Sequence, residues 1–249
     1  MTDWQKADLH IHSALSPCAD DQMTPHNIVN MAKLLGLSVI AVTDHQAADN
    51  VPVVCDLAAE AGIICLPGIE VQSLEEVHLL AYFPDLKALQ QFSTQVQAHL
   101  LDQRRASRHF GRQLIFDSGG QVAGEQPALL LQSVSFTLEQ VCSRVVRLGG
   151  CCVPAHLDRP AFSLYSQLSF IPDGLSIATV EYTQEYFTGR QTATPARMLA
   201  VTSSDAHSLG EMVTRGNTWL HGSLDNPHSI CRALRQGDRR LVRSYIRNA

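Results

Sequence analysis

Asp8-Leu-His-Ile-His12 is the segment around which the chain is organised. It has the pattern of a first strand, in which successive side chains point to opposite faces. His10 and His12 therefore share one face, and the apolar residues beside them share the other. Two neighbouring imidazoles at a strand end supply half of a metal site. The alternative interpretation is a pair of polar side chains on a solvated face.

The composition of the 249-residue chain is typical of one globular domain, with 45% hydrophobic and 17% charged residues. Single α/β barrels are common at this length. The net charge of -5 gives no indication of a broad electrostatic attraction to nucleic acid. Seven cysteines without zinc-finger spacing indicate reduced thiols and a cytoplasmic protein. We expect no signal peptide and no membrane span, because the first residues are polar and every apolar run is short.

Apolar runs alternate with amphipathic ones, which predicts an α/β fold of parallel strands with helices outside. The predicted strands are 8–13, 37–43, 63–66, 77–83, 151–154, 175–182, 199–203 and 217–220. The predicted helices are 25–35, 51–61, 137–148 and 227–235. A helical pattern from Leu86 to about Phe116 indicates a small helical insertion at about 85–135, whose part 119–131 is expected to be loop and a short helix.

Histidines are concentrated at the ends of the short apolar strands. Six of the eleven have this placement, namely His10, His12, His45, His78, His156 and His207. Asp205 and His207 repeat the spacing of the first pair, and Glu70 follows a Pro-Gly turn. Barrel folds carry their chemistry at such strand ends. Imidazoles mixed with carboxylates favour Mn²⁺, Fe²⁺ or Zn²⁺. Eight or nine ligands exceed what one ion needs, so the pattern predicts a site of two or three divalent metal ions.

Six motifs in order resemble those of the PHP (polymerase and histidinol phosphatase) domain phosphoesterases. They are Asp-Leu-His-Ile-His (8–12), Thr-Asp-His (43–45), Pro-Gly-Ile-Glu (67–70), Val-His-Leu-Leu-Ala-Tyr-Phe (77–83), Pro-Ala-His-Leu-Asp-Arg-Pro (154–160) and Ser-Ser-Asp-Ala-His (203–207). The resemblance implies a single PHP domain over residues 1–249, built as a distorted (β/α)7 TIM-like barrel. It also implies a site of two or three metals.

The resemblance assigns ligands position by position. It implies that one metal is held by His10, His12, Glu70 and Asp205. Glu70 would bridge to a second metal, which His78 and His156 would hold. His45 and His207 would hold a third.

One ligand position departs from the family pattern. The family usually has a Ser-Asp-Gly run after the second motif histidine, where this chain has Ser16-Pro-Cys-Ala-Asp-Asp21. Asp20 is the candidate for this position, and Asp21 is the second choice. Cys18 is a further alternative, although a thiolate would be unusual in an oxygen-rich site. Asp44 is expected to serve catalysis indirectly, by orienting a ligand imidazole.

The expected reaction is hydrolysis of a phosphate ester by a hydroxide that bridges the metals. A cation should assist by neutralising the phosphoryl oxygens. Arg159, just after His156, is the best candidate, with Arg190 and Arg215 behind it. A surface ion pair is an equally good interpretation of each arginine. The expected substrate is a small phosphorylated metabolite, with a nucleotide favoured.

Three alternatives remain open. The first is a phosphodiesterase or exonuclease acting on short oligonucleotides, which an open cleft and arginines near the site would support. The arginine-rich stretch 232–247 is interpreted as a solvated helix face, and nucleic-acid contact is the minority interpretation. The second is an amidohydrolase, whose bridging lysine has no counterpart here because Lys6, Lys33 and Lys87 end no later strand. The third is a non-catalytic regulatory module, which the full set of candidate ligands disfavours. The sequence carries no signal for an oligomeric state.

Overall fold

The computed structural model of the protein describes residues 4–102, 110–183, 197–214 and 217–245. Within them the strands are β1 (Trp4–Ile11), β2 (Val39–Val42), β3 (Ile64–Cys65), β4 (Gly68–Gln72), β5 (His78–Tyr82), β6 (Leu114–Phe116), β7 (Val122–Glu125), β8 (Cys151–Pro154), β9 (Thr179–Tyr182), β10 (Leu199–Thr202), β11 (Asn217–His221) and β12 (Val242–Tyr245). The helices are α1 (Pro25–Leu34), α2 (Val51–Glu60), α3 (Leu86–Ala98), α4 (Leu138–Arg147), α5 (Leu164–Leu168), α6 (Leu209–Thr214) and α7 (Pro227–Gln236).

Helix ends follow the capping signals in the sequence. The Thr24 side chain accepts a hydrogen bond of 3.2 Å from the Asn27 amide at the start of α1. Thr137 and Gln140 form a reciprocal capping box at the start of α4. Helix α7 ends at Gly237, whose φ of +62° is readily adopted by glycine. The four predicted helices are therefore confirmed.

Parallel pairing is confirmed for the strands at the start of the chain. Strands β1, β2 and β3 are neighbours in a five-stranded sheet of order β12-β11-β1-β2-β3, and both of their pairings are parallel. Strands β9 and β10 also pair in parallel. The outer strands β11 and β12 run antiparallel, and β12 was not predicted. The described strands and helices thus form an α/β fold.

The prediction of parallel strands is wrong for β4, β5 and β8, which form an antiparallel sheet. Gly68, interpreted as part of a Pro-Gly turn, instead begins a strand of its own, Gly68–Gln72. The connection from β4 to β5 is too short for the crossover that a parallel pair needs, so the two strands form a hairpin. As a consequence His78, the first residue of β5, lies opposite Gln72 at the end of β4.

The proposed helical insertion contains less helix than predicted. Helix α3 ends at Ala98, and β6 and β7 form an antiparallel hairpin. Phe116 therefore lies in a strand, and part of the expected loop in 119–131 does too. Gly120, with a φ of +78°, permits the tight turn between these strands. Asn50 fixes β6 through hydrogen bonds to the backbone of Leu114 and Phe116. Residues 103–109 lie outside the described residues.

The ladders of the described strands form separate sheets and do not close into a barrel. Two single bridges connect these sheets, Ile11 with Ala206 and His45 with Glu70. Strand β2 is buried on both faces, because Val39 and Ala41 pack in one hydrophobic cluster and its other two residues in a second. None of the helices in the described ranges combines the length and apolar character that crossing a membrane requires.

Candidate metal centre

Six imidazoles meet at one edge of the strands. The closest ring pairs are His12 with His207, at 4.2 Å between centroids, and His12 with His45, at 4.5 Å. His78 and His156 lie 5.3 Å apart, and His10 lies 5.1 Å from His12. All are buried except His207, which is partly exposed. The antiparallel direction of β5 explains why His78 joins the group from the start of a strand.

Glu70 lies at the centre of these imidazoles. Its Oε1 atom is 3.0 Å from His78 Nδ1 and 3.5 Å from the Nε2 atoms of His10 and His156. Its Oε2 atom is 2.8 Å from His45 Nδ1 and 3.5 Å from His12 Nε2. Burial raises the pKa of this carboxyl, but the charges of the surrounding histidines outweigh burial and hold it well below its usual value.

Asp205 divides its two oxygens between the histidines and an arginine. Its Oδ1 atom lies 3.2 Å from the Nε2 atoms of both His10 and His12. Its Oδ2 atom lies 2.6 Å from Arg159 Nη1. Asp205 adopts a φ of +48°, which is uncommon for a residue with a side chain and directs the carboxylate to the cluster. Although burial raises the pKa of this carboxyl, His10, His12 and Arg159 hold it well below its usual value.

Hydrogen bonds fix the protons of the first two histidines on Nδ1. His10 Nδ1 donates to Glu181 Oε2 at 2.9 Å, because a carboxylate can only accept. Ser16 gives its hydroxyl proton to Asp44 at 2.6 Å, so it accepts from His12 Nδ1 at 2.9 Å. The Nε2 lone pairs of the two histidines then face each other at 3.1 Å.

The two facing Nε2 atoms favour a cation between them. Two facing lone pairs repel unless a proton or a metal ion lies between them. The pKa of His10 shows the same preference for positive charge. Burial lowers this pKa, but the carboxylates of Asp205, Glu181 and Glu70 raise it well above the usual value. Either a proton or a divalent metal ion can occupy this position. Neutral nitrogen donors together with anionic oxygen donors are suitable ligands for a divalent ion.

Three groups of side chains have ligand atoms close enough together to share an ion. Within each, the atoms lie within 4.8 Å of one another, and the groups are His10-His12-Asp205, His45-Glu70-His78 and His12-His45-His207. His12 and His45 each belong to two groups, so the groups form one continuous cluster. The residues present therefore form clusters that are able to bind divalent metal.

Asp44 is connected to the cluster through serines. Its carboxylate accepts hydrogen bonds from the Ser13 amide at 2.7 Å, the Ser13 hydroxyl at 2.6 Å and the Ser16 hydroxyl at 2.6 Å. Ser16 in turn contacts His12, so Asp44 orients that imidazole through one intermediate residue. Burial raises the pKa of Asp44 to about 6 against the effect of these bonds.

The structure brings together all but one of the predicted ligands. The residues that converge are His10, His12, His45, Glu70, His78, His156, Asp205 and His207. Asp20 is the exception: it is exposed, and its carboxylate accepts a hydrogen bond of 2.8 Å from the Gln22 amide. Cys18 is exposed, and although partial burial raises the pKa of its thiol, the neighbouring His207 and His45 lower it to about 7.

Sequence reasoning missed Glu181 and Ser16, the two hydrogen-bond partners of the first histidines. The available signal for Glu181 was a single acidic residue in an otherwise apolar strand, Ile177-Ala-Thr-Val-Glu-Tyr182. It is buried, and it also accepts from the His156 amide at 3.1 Å. A charge in such a strand indicates a specific partner, because an unpaired buried carboxylate is costly.

A cavity of about 450 Å³ opens beside the cluster. Its lining includes His156, Arg159, Glu181, Ser203 and Asp205. Arg159 thus lies between solvent and the cluster, with about a third of its side chain exposed. The other two candidate cations, Arg190 and Arg215, lie outside the described residues.

Known proteins share the sequence pattern and the fold. The family model described as PHP domain matches residues 8–162. The uncharacterized protein YqxK of Bacillus subtilis (strain 168) is 28% identical over 194 residues, which cover 72% of this chain and 43% of YqxK. The chain therefore spans less than half the length of that relative.

Two solved structures have a similar fold at low sequence identity. The lesion-specific endonuclease PfuEndoQ from Pyrococcus furiosus superposes with a TM-score of 0.67 and 19% identity, over 97% of this chain and 57% of that one. A two-domain protein from Bacteroides vulgatus containing a predicted PHP-like metal-dependent phosphoesterase gives a TM-score of 0.56 and 16% identity, over 98% of this chain and 65% of that one.

Proposed function

Because the chain belongs to the PHP domain family, we propose that it hydrolyses phosphate esters with the help of divalent metal ions. The observation that carries the proposal is the buried cluster, in which imidazole lone pairs and two carboxylates converge beside an open cavity.

We propose the following ligands for two or three ions, with manganese, iron or zinc as candidates. The first ion would be held by His10, His12, Glu70 and Asp205, the second by Glu70, His78 and His156, and the third by His45 and His207. Glu70 would be shared between the first two ions, because its Oε1 atom lies 3.5 Å from His10 Nε2 and 3.0 Å from His78 Nδ1. Divalent ions bound here would supply Lewis acidity and an activated water at neutral pH.

The chain's own residues orient the ligand imidazoles and can bind the phosphoryl group of the substrate. Glu181 and Ser16 keep the protons of His10 and His12 on Nδ1, which leaves Nε2 free to bind a cation. Arg159 reaches the cavity while one of its nitrogens contacts Asp205. Its guanidinium can bind a phosphoryl oxygen at that position and neutralise charge that develops during hydrolysis.

The size of the cavity supports a small phosphomonoester as the substrate, such as a nucleotide. Cavities of roughly 300–1,000 Å³ hold small molecules, and about 450 Å³ lies in this range. A phosphodiester in nucleic acid is the second candidate, since the similarly folded PfuEndoQ is described as a lesion-specific endonuclease.

We propose, in addition, a barrel architecture and a cytoplasmic location for the chain. A distorted (β/α)7 barrel over a single PHP domain is supported by two isolated bridges, one from Ile11 in β1 to Ala206 after β10 and one from His45 after β2 to Glu70 in β4. A cytoplasmic setting is supported by the seven cysteines, all of which are free thiols.

Metal-dependent release of phosphate tests the proposed function. Metal-free protein is loaded with Mn²⁺, Fe²⁺ or Zn²⁺ and offered an aryl phosphate, nucleoside mono- and bisphosphates, histidinol phosphate, a short oligonucleotide and a duplex with an abasic site. We expect release from a small phosphomonoester that stops when a chelator is added. Cleavage of only the nucleic acids would favour the second candidate.

The control for this experiment is a double variant, His10→Ala with His12→Ala, which removes the facing nitrogens. It should fold, as judged by circular dichroism, and release no phosphate. If the wild-type protein binds metal and cleaves no member of the panel, the proposal is wrong and a regulatory module or a hydrolase of other bonds replaces it.

Glu181→Ala is expected to weaken metal binding by about 10–100-fold. The reason is that His10 loses the acceptor that holds its proton on Nδ1. Glu181→Gln retains an acceptor oxygen and should lose less. Isothermal titration of metal-free protein measures both effects, with Glu60→Ala as an exposed control. Equal affinities in all four proteins would show that Glu181 does not support a metal ligand.

A further inference from the structure

The loop between β8 and α5 carries an aromatic side chain beside the histidine cluster. The Phe162 ring stacks on the imidazole of His78, with 4.8 Å between the centroids and 18° between the planes. The His78 amide also donates a hydrogen bond of 2.9 Å to the carbonyl of Phe162. Phe162 is therefore joined to a proposed ligand of the second ion both through its backbone and through its ring.

Phe162 has a backbone conformation that large side chains rarely adopt. Its φ of +56° lies in the left-handed region, where the Cβ atom crowds the backbone. Hydrogen bonds within the loop hold this path. The Ser163 hydroxyl donates to the carbonyl of Arg159 at 2.7 Å, and the Arg159 amide donates to the carbonyl of His156 at 2.8 Å. Backbone strain of this kind is concentrated at ligand-binding sites, which makes the Phe162 ring a candidate contact for a ligand.

The Phe162 ring remains open to solvent on the side away from the cluster. The residue is 41% exposed, whereas His78, on which it stacks, is buried. One face of the ring is covered by the imidazole, so the exposed area leaves the opposite face accessible. A second planar ring can stack on such a face at an offset, as aromatic pairs prefer. The outer face of Phe162 is therefore a surface on which an aromatic group can bind.

The same loop carries the arginine proposed to bind phosphate. Arg159 lines the cavity together with His156, and the His156 ring lies 5.3 Å from that of His78. The stacked pair of Phe162 and His78 thus adjoins the wall of the cavity. In a nucleotide a single sugar separates the base from the phosphate. A phosphate at Arg159 would therefore leave the base close to the outer face of Phe162.

We propose that Phe162 binds the base of a nucleotide substrate by stacking on it, while Arg159 contacts the phosphate. This inference rests on the proposed function and names an aromatic heterocycle as the part of the substrate beyond the phosphate. Every base has a π face, so stacking favours nucleotides over sugar phosphates without selecting a particular base.

Phe162→Leu tests the stacking, because leucine still covers His78 but has no flat π face. Phosphate release by the metal-loaded protein is measured with adenosine monophosphate, ribose 5-phosphate and a short oligonucleotide. We expect the KM for adenosine monophosphate to rise by about 10-fold, with kcat, metal content and the KM for ribose 5-phosphate unchanged. Phe170→Leu is the matched control, since Phe170 is 60% exposed and follows α5.

Fluorescence of Phe162→Trp provides a second measurement that needs no turnover and keeps an aromatic ring at this position. The ligand is the phosphonate analogue of adenosine monophosphate, in which a methylene group replaces the ester oxygen and prevents hydrolysis. A base that stacks on the new indole should quench its fluorescence, whereas methylphosphonate, which has no base, should not. The wild-type protein gives the background from Trp4 and Trp219.

The outcomes separate this inference from the proposed function. An equal rise in KM for both small substrates, or a loss of bound metal, would show that Phe162 only supports His78 and would overturn the inference. An effect confined to the oligonucleotide, or the absence of quenching in Phe162→Trp, would overturn it too. If the wild-type protein released no phosphate from any substrate, the proposed function would fail, and the fluorescence measurement would still decide whether a base stacks on this position.

Discussion

Glu70→Gln is expected to lower the rate of phosphate release by on the order of 10³-fold and to reduce the number of metal ions bound. The carboxylate faces five imidazoles, with distances from 2.8 to 3.5 Å. Glutamine has nearly the same shape as glutamate but carries no charge. Its amide nitrogen bears two hydrogens and cannot bind a cation, so only one oxygen remains as a ligand. The substitution therefore removes the group proposed to be shared between two ions.

Metal content and turnover must be measured together in the Glu70→Gln protein. Mass spectrometry of the intact, metal-loaded protein counts the ions, and phosphate release is measured at saturating metal. Glu60→Gln is the matched control, because Glu60 is exposed at the end of α2. Full metal content with wild-type turnover in the Glu70→Gln protein would contradict the proposed bridging role.

Arg159→Ala is expected to lower kcat/KM by about 10²–10³-fold while the metal content stays unchanged. Arg159 Nη1 contacts the Asp205 oxygen that points away from the histidines, and the side chain lines the cavity. Its remaining nitrogens can therefore bind the substrate's phosphoryl group. Arg159→Lys keeps the charge but not the planar pair of donors, so it should recover only part of the rate.

The comparison of rate with metal content identifies how Arg159 acts. Loss of rate at full occupancy would support direct contact with the substrate. Loss of metal would indicate instead that Arg159 only positions Asp205. Arg240→Ala is the control, because that guanidinium is 89% exposed and pairs with Asp238. A wild-type rate in Arg159→Ala would exclude the arginine from the reaction.

Local signals in the sequence predicted much of the fold. The spacing of His10 and His12 predicted a strand with both imidazoles on one face, and both Nε2 atoms lie 3.2 Å from the same oxygen of Asp205. Thr24 and Gly237 indicated where a helix begins and where another ends. These signals are reliable because capping and strand alternation depend on residues only a few positions apart.

The direction of β5 depended on more distant contacts. An apolar run has the same pattern in a parallel and an antiparallel sheet, so the sequence did not distinguish the two. The antiparallel arrangement places His78 at the edge where the ends of β4 and β8 also lie. The convergence of the histidines was therefore predicted from the motifs, while the strand path behind it was not.

The sequence by itself determined which residue types gather at the strand ends, and so the chemistry that the cluster favours. Only the tertiary structure decided which partners orient them. Glu181 meets His10 across 171 positions of sequence, and the packing of one loop leaves Asp20 exposed and bonded to the Gln22 amide, away from the cluster. Such contacts depend on the path of the whole chain, because the free energy of a long-range hydrogen bond is gained only after the strands between its partners have packed.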